Sequence, residues 1–302
     1  MSQATHVRIA DHSVIIEFAN ENTGKHMDLL PSFSPFIVNT PNEYADEETL
    51  FKLTIDDSLI PISKNKREHI GIFETGNGRI VVDAIEGGGY QYILRDIHSR
   101  NCCMLQTNKD FSKGICALTG GDDTRSFGLN NALMMMFAFR GSYFQTLLVH
   151  ASLVRNNGYG YAFIAKSGTG KSTHTALWLK HIDGCDLMND DNPIVRIING
   201  EAIIYGSPWS GKTPCYKNTK APLKAITKID RAKQNSVEKL SPTIAFSYLM
   251  PACSTMKWDK VIYGNICDTV INLIESNTGM YVLHCTPEKE AALVCYDAIA
   301  VK

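Results

Sequence analysis

From the start of the chain to Asp122, apolar residues come in short runs that alternate or cluster β-formers. They lie at Val14 to Phe18, Gly71 to Glu74, Arg79 to Ala84 and Tyr90 to Asp96. Runs of this length and period fit strands half buried against one core. Asn77-Gly78 supplies a hairpin turn between two of them, and Gly87-Gly88-Gly89 breaks the chain before the last. Pro31, Pro35 and Pro41 punctuate Leu30 to Asn42, which reads as loop because each proline removes a backbone donor. The pattern then changes. Gly128 to Arg140 is rich in Leu, Ala, Met and Phe and predicts a helix, with Met134-Met135-Met136 as core packing. Beyond Thr146, strands and helices mix. Leu147 to Arg155 predicts a strand, Asn156-Asn157-Gly158 a turn, Tyr159 to Ile164 a partner strand and Thr173 to Lys180 a helix. Later, Trp258 to Glu275 predicts a helix, Met280 to Cys285 a strand, and Glu288 to Ala298 a last helix with Pro287 and Glu288 at its start. The expected organisation is a mainly β domain over 1–127, a connecting helix over 128–145 and an α/β domain over 146–302. No internal repeat or low-complexity tract interrupts it.

Bulk properties narrow the class. The 302 residues are enough for two domains with sizeable cores, and a hydrophobic share of 44% with 20% charged residues is that of a globular protein. A net charge of −1 sets up no global field for nucleic acid or an acidic membrane surface. The polar opening Met1 to Asp11 and the lack of a long apolar run predict no leader and no membrane span. Nine cysteines without ligand spacing predict reduced, mostly buried thiols in a cytoplasmic protein.

The most informative stretch is Ala165-Lys166-Ser167-Gly168-Thr169-Gly170-Lys171-Ser172. A glycine-rich turn between a buried strand and a helix gathers backbone N–H groups at the positive end of a helix dipole, where phosphate binds without any side chain. Lys171 adds a full charge for the β- and γ-phosphates, and the Ser172 hydroxyl is placed to ligate Mg²⁺. Ala165 stands where the usual pattern has glycine, while Gly168 and Gly170 keep the tight turn accessible. A strand pairing antiparallel beside the loop strand departs from a plain doubly wound sheet.

Downstream, Leu187-Met188-Asn189-Asp190-Asp191 ends an apolar stretch in paired acids. Phosphoryl transfer needs a metal ligand and a group that orients the acceptor hydroxyl, and adjacent carboxylates can divide those roles. His150 precedes the loop and falls at the loop's end of the sheet if the two strands pair. From Lys212 to Lys239 eight Lys/Arg face two acids, a local net of +6. Lys212 and Arg231 are candidate contacts for nucleotide or acceptor. Trp209 reads as packing, and Pro222 to Arg231 spaces Lys224 and Lys228 at a helical interval.

The order His150-Ala151-Ser152, then Ser167-Gly168-Thr169-Gly170-Lys171-Ser172-Thr173, then Asn189-Asp190-Asp191 resembles the catalytic domain of HPr kinase/phosphorylase. That domain shares its P-loop fold with ATP-dependent phosphoenolpyruvate carboxykinase. The resemblance covers residues 146 to 300 and leaves the first half aside. It implies an ATP- and Mg²⁺-dependent kinase. Lys171 would sit on phosphate, Ser172 and Asp191 on magnesium, Asp190 as acid/base at the acceptor hydroxyl, and His150 near the phosphates. Nothing downstream matches the arginine- and glycine-rich segment of the bifunctional family members, so the acceptor stays open among protein, peptide and small molecule. The rival expectations are a carboxykinase-like enzyme and a non-catalytic nucleotide-binding regulatory module. Whether the chain forms a homo-oligomer is open at this point.

Overall fold

The computed structural model describes residues 3–19, 26–39, 48–166, 168–211 and 213–301. The protein is mixed α/β with two large sheets, one in each of two compact units, Met1–Gly141 and Ser142–Lys302. Among the described residues no helix is long and apolar enough to cross a membrane.

The first unit contains β1 (Gln3–Ile9), β2 (His12–Phe18), β3 (Thr49–Ile55), β4 (Arg67–Thr75), β5 (Gly78–Ile85), β6 (Tyr90–Asp96), β7 (Asn101–Thr107), β8 (Lys113–Leu118) and α1 (Asp122–Gly141). They form an eight-stranded sheet in the order β1-β2-β3-β8-β7-β6-β5-β4. Five neighbouring pairs are antiparallel, while β3 pairs parallel with both β2 and β8. Helix α1 lies against β3, β6, β7 and β8 and buries Leu129, Leu133, Met136 and Phe137. The helix expected to connect two domains therefore belongs to the first. Its apolar face has no other way out of water. Pro31–Phe36 winds into a 3₁₀ helix with Phe33 and Phe36 buried, where loop was expected; Pro41 and Asn42 lie outside the described residues.

The second unit contains β9 (Thr146–Leu148), β10 (Ala151–Asn156), β11 (Tyr159–Ile164), α2 (Lys171–His181), β12 (Asp186–Asp191), β13 (Ile194–Ile198), β14 (Glu201–Tyr205) and β15 (Lys220–Arg231). It continues with β16 (Ser236–Lys239), α3 (Pro242–Leu249), α4 (Lys260–Glu275), β17 (Gly279–Cys285) and α5 (Lys289–Ile299). Sheet order runs β12-β10-β11-β15-β14-β13-β9, with β17 also on β15 and β16 on β17. Strands β10 and β11 pair antiparallel through the turn at Asn157 (φ 49°) and Gly158 (φ 80°). Strand β11 pairs parallel with β15, and β15 with β17. One face carries α2 and α5, around a core of Tyr161, Phe163, Trp178, Leu283 and Cys295.

Two expectations are corrected. Leu147 to Arg155 is not one strand, because it breaks at Val149-His150. There the His150 N–H turns to the Ala252 carbonyl (2.7 Å), and β9 joins β13 while β10 joins β11 and β12. Pro222 to Arg231 is strand, not helix. Residues four apart share a face in either geometry, and β-branched Ile226, Thr227 and Ile229 pack best in the pleat.

Candidate functional site

Strand β11 ends at Ile164, the chain turns through 165–170, and α2 begins at Lys171. Gly168 (φ 76°) and Gly170 (φ 130°) occupy backbone regions that L side chains rarely adopt, and the Thr169 N–H closes on the Lys166 carbonyl at 3.1 Å. Gly170 caps the helix and so brings no side-chain oxygen of its own to the first-turn N–H groups. Ser167 lies outside the described residues. Thr173 is exposed one residue past Ser172. From the end of β15, Arg231 donates through Nη2 to the Gly168 carbonyl (2.6 Å) and through Nε to the Thr169 carbonyl (3.0 Å). Its charge thus braces the outer side of the turn.

Register brings the other groups to the same corner. Ala151 pairs with Ile164 on one side and with Asp191 on the other, which sets His150 beside the start of the loop and the acidic pair beside Ser152. Lys171 Nζ lies 2.7 Å from His150 Nε2, and His150 Nδ1 lies 3.0 Å from Asp191 Oδ1. One tautomer satisfies both contacts: a neutral ring donating Nδ1–H to the carboxylate and accepting the ammonium proton at Nε2. Burial pulls the Lys171 ammonium below its ordinary pKa, against the opposing pull of Asp191 and Asp190. Burial likewise pushes the Asp191 carboxyl up, but the His150 hydrogen bond, the Lys171 charge and the Asn192 hydrogen bond outweigh it and hold the group below the usual carboxylate range.

Asp190 sits differently. It is 4% exposed and accepts from Ser152 Oγ at 2.6 Å and from Ser172 Oγ at 3.2 Å. The Asp191 side chain is 32% exposed and that of His150 41%. Neighbouring residues on a strand point to opposite faces, so the pair divides between the serine hydroxyls and the histidine. Asp191 also carries a φ of 138°, uncommon for any residue but glycine.

The basic cluster disperses. Lys217 pairs with Asp186 at 3.1 Å, Lys228 with Asp230, and Arg231 alone of the described members reaches the loop. Lys212 lies outside the described residues. Trp209 is buried, in keeping with packing. Ser152 and Asn189 stand in the quoted segments His150-Ala151-Ser152 and Asn189-Asp190-Asp191, but the sequence assigns neither a role of its own, since a buried amide looks the same as a turn amide in sequence. Behind the loop, His174 is enclosed by Phe163 and Trp178, accepts the Trp178 indole N–H at 3.0 Å, and is driven down to a pKa of about 4 by burial. No protein-family model matches the chain, and no curated protein matches it in sequence.

Proposed function

We propose that the second unit is an ATP- and magnesium-dependent kinase domain of the HPr kinase-like class, with the P-loop fold which that class shares with phosphoenolpyruvate carboxykinase. It transfers the γ-phosphoryl of ATP to a hydroxyl of a protein, peptide or small molecule. The observation that carries this reading is the convergence of Lys171, Ser172, Asp190, Asp191 and His150 beside a glycine turn at a helix N-terminus. Among the described residues no three His, Cys, Asp or Glu side chains gather as a metal cage. Magnesium does not need one, because it takes one or two carboxylates and completes its shell with water and phosphate oxygens. Ser172 Oγ and the Asp190 carboxylate supply such an oxygen pair. When bound, the ion draws charge from the β- and γ-phosphates.

The chain's own groups then divide the work. The N–H groups of the loop and Lys171 hold the phosphates. Asp190, buried and bonded to two hydroxyls, keeps to the metal side. Asp191, a third exposed and backed by His150, faces the acceptor. It orients the acceptor hydroxyl and takes its proton as the new O–P bond forms and the bond from phosphorus to the ADP oxygen breaks. This division reverses the one the resemblance implies, in which Asp190 is the acid/base and Asp191 the magnesium ligand.

Paired amide variants test it, with γ-labelled ATP, Mg²⁺ and a cell lysate as the source of acceptors. Asp191→Asn is expected to keep MgATP binding and to lower transfer by roughly 10²–10⁴-fold, the usual share of general acid–base catalysis. Asp190→Asn is expected to weaken the magnesium dependence of binding first. Parental transfer in Asp191→Asn rules out its role as base. A parent chain that binds MgATP and labels nothing is a nucleotide-binding regulatory module instead.

A further inference from the structure

We infer that Asn189 is a positioning residue: its buried side chain straps Ser207, Trp209 and Cys215 to the acidic corner and so holds the Asp191 carboxylate on His150. The side chain is fully buried. Its Nδ2 lies 3.1 Å from the Trp209 carbonyl, 3.2 Å from Ser207 Oγ, and 3.4 Å from the carbonyls of Ser207 and Cys215. Its Oδ1 accepts the N–H of Asn192 at 2.9 Å. An amide has two N–H donors, so the four acceptors share them, with Trp209 and the Ser207 hydroxyl nearest. One side chain thereby grips the residue just beyond the acidic pair and, at its other end, the segment that faces the pair.

Further bonds close the frame. Ser207, also fully buried, donates its hydroxyl to the Asn192 carbonyl at 2.6 Å and accepts the Trp209 N–H at 3.1 Å. Ser210 Oγ (3.0 Å) and the Gly211 N–H both donate to the Asp190 carbonyl, and a bridge links Asp191 to Ser210. A Cβ at Gly211 would come within 3.1 Å of Asp191 Cβ and 3.0 Å of the Asp190 carbonyl oxygen, so a side chain there would press on both acids. Between these anchors Asp191 keeps its φ of 138°. A non-glycine residue stays in such a region only where its surroundings over-determine it. Released from the strap, Asp191 relaxes toward ordinary backbone angles and its carboxylate leaves His150 Nδ1. Among the described residues the hydrogen bonds of Asn189 reach Ser207, Trp209, Cys215 and Asn192 and none of the loop groups that would hold phosphate, so it acts through Asp191.

The kinase reading enters only one of two readouts. The first is the downfield Nδ1–H proton of His150 in NMR, assigned by its loss in His150→Asn. It is expected to vanish in Asn189→Asp, where an acceptor replaces the donor, and to weaken in Ser207→Ala. Where Asn189→Asp does not fold, Ser207→Ala decides. An unchanged signal in the folded variant overturns the inference. The second readout is the split between binding and transfer. MgATP affinity is expected to stay within about threefold of the parent while kcat falls by roughly 10²-fold, the order of loss for a catalytic group moved by about an ångström. Equal losses in binding and kcat overturn the positioning role. A parent without transfer defeats the kinase reading alone, because the His150 signal still decides whether Asn189 holds Asp191.

Discussion

At the scale of single residues, Lys171 is the group whose role is most constrained. It is 9% exposed, and its ammonium is hydrogen-bonded to the His150 ring and the Ala165 carbonyl (3.4 Å), while Asp191 and Asp190 act on it through their charge alone. A buried ammonium held by neutral acceptors gains most from an incoming phosphate. Lys171→Ala is expected to keep the fold and to weaken MgATP binding by about 2 kcal/mol, roughly thirtyfold in Kd, the scale of one charged hydrogen bond. Calorimetry giving parental affinity would rule out phosphate contact by this lysine. Lys171 and its glycines were legible because the motif is local, with every part inside eight consecutive residues. The division between Asp190 and Asp191 was not. Two adjacent acids on a strand must face opposite ways, but which of them meets Ser172 is settled by the pairing of β12 with β10, a non-local fact. The same holds for Asn189, whose Nδ2 partners lie eighteen to twenty-six residues ahead.

At the scale of elements, α2 carries both the first residues of the candidate site and a stability switch. Its first turn presents Lys171 and Ser172, while the next residues turn inward to pack His174 and Trp178 on β11. His174 has a folded pKa of about 4 against an ordinary 6.5. The folded state therefore refuses a proton that the unfolded state takes, and stability is lost as pH falls through that window. Above pH 6.5 the ring is neutral in both states and contributes no pH dependence. Near pH 4 the loss approaches about 3 kcal/mol, from the free-energy value of each pKa unit. Urea unfolding of the parent and His174→Phe, followed by tryptophan fluorescence, should show a steeper loss of stability in the parent than in the variant between pH 6.5 and 4. Parallel curves would place the acid sensitivity elsewhere. All three tryptophans, Trp178, Trp209 and Trp258, lie in the second unit, so the signal reports that unit. The β10–β11 hairpin and the loop-to-helix step were readable from short-range pattern. Strand β15 was not. Its lysines match a helical spacing, and only its place between β11 and β17, buried on alternate positions, shows why the chain is extended there.

At the scale of the whole molecule, the change of pattern was visible, but the helix expected over 128–145 as a connector belongs to the first unit, and the division falls between Gly141 and Ser142. Sequence period marks where a helix begins, not which core it joins, and α1 gives its apolar face to the first sheet. The parallel pairing of β3 with β2 and β8 was equally hidden, since parallel strands meet across long stretches of chain. The position of the cut has a measurable consequence. Every described group of the candidate site, from His150 to Arg231, belongs to the unit Ser142–Lys302, which has its own sheet and core. A fragment beginning at Ser142 is therefore expected to fold and to bind MgATP within about threefold of the full chain, a difference under 1 kcal/mol. A fragment beginning at Gly128 keeps most of α1 without the sheet that covers it. Leu129, Leu133, Met136 and Phe137, all but buried in the intact unit, then face water as one apolar patch. That longer fragment is expected to aggregate where the shorter one stays dispersed, which light scattering at matched concentration reads directly. If both behave alike, α1 contributes less to the first core than its burial indicates. If the Ser142 fragment folds but does not bind nucleotide, the first unit supplies part of the site.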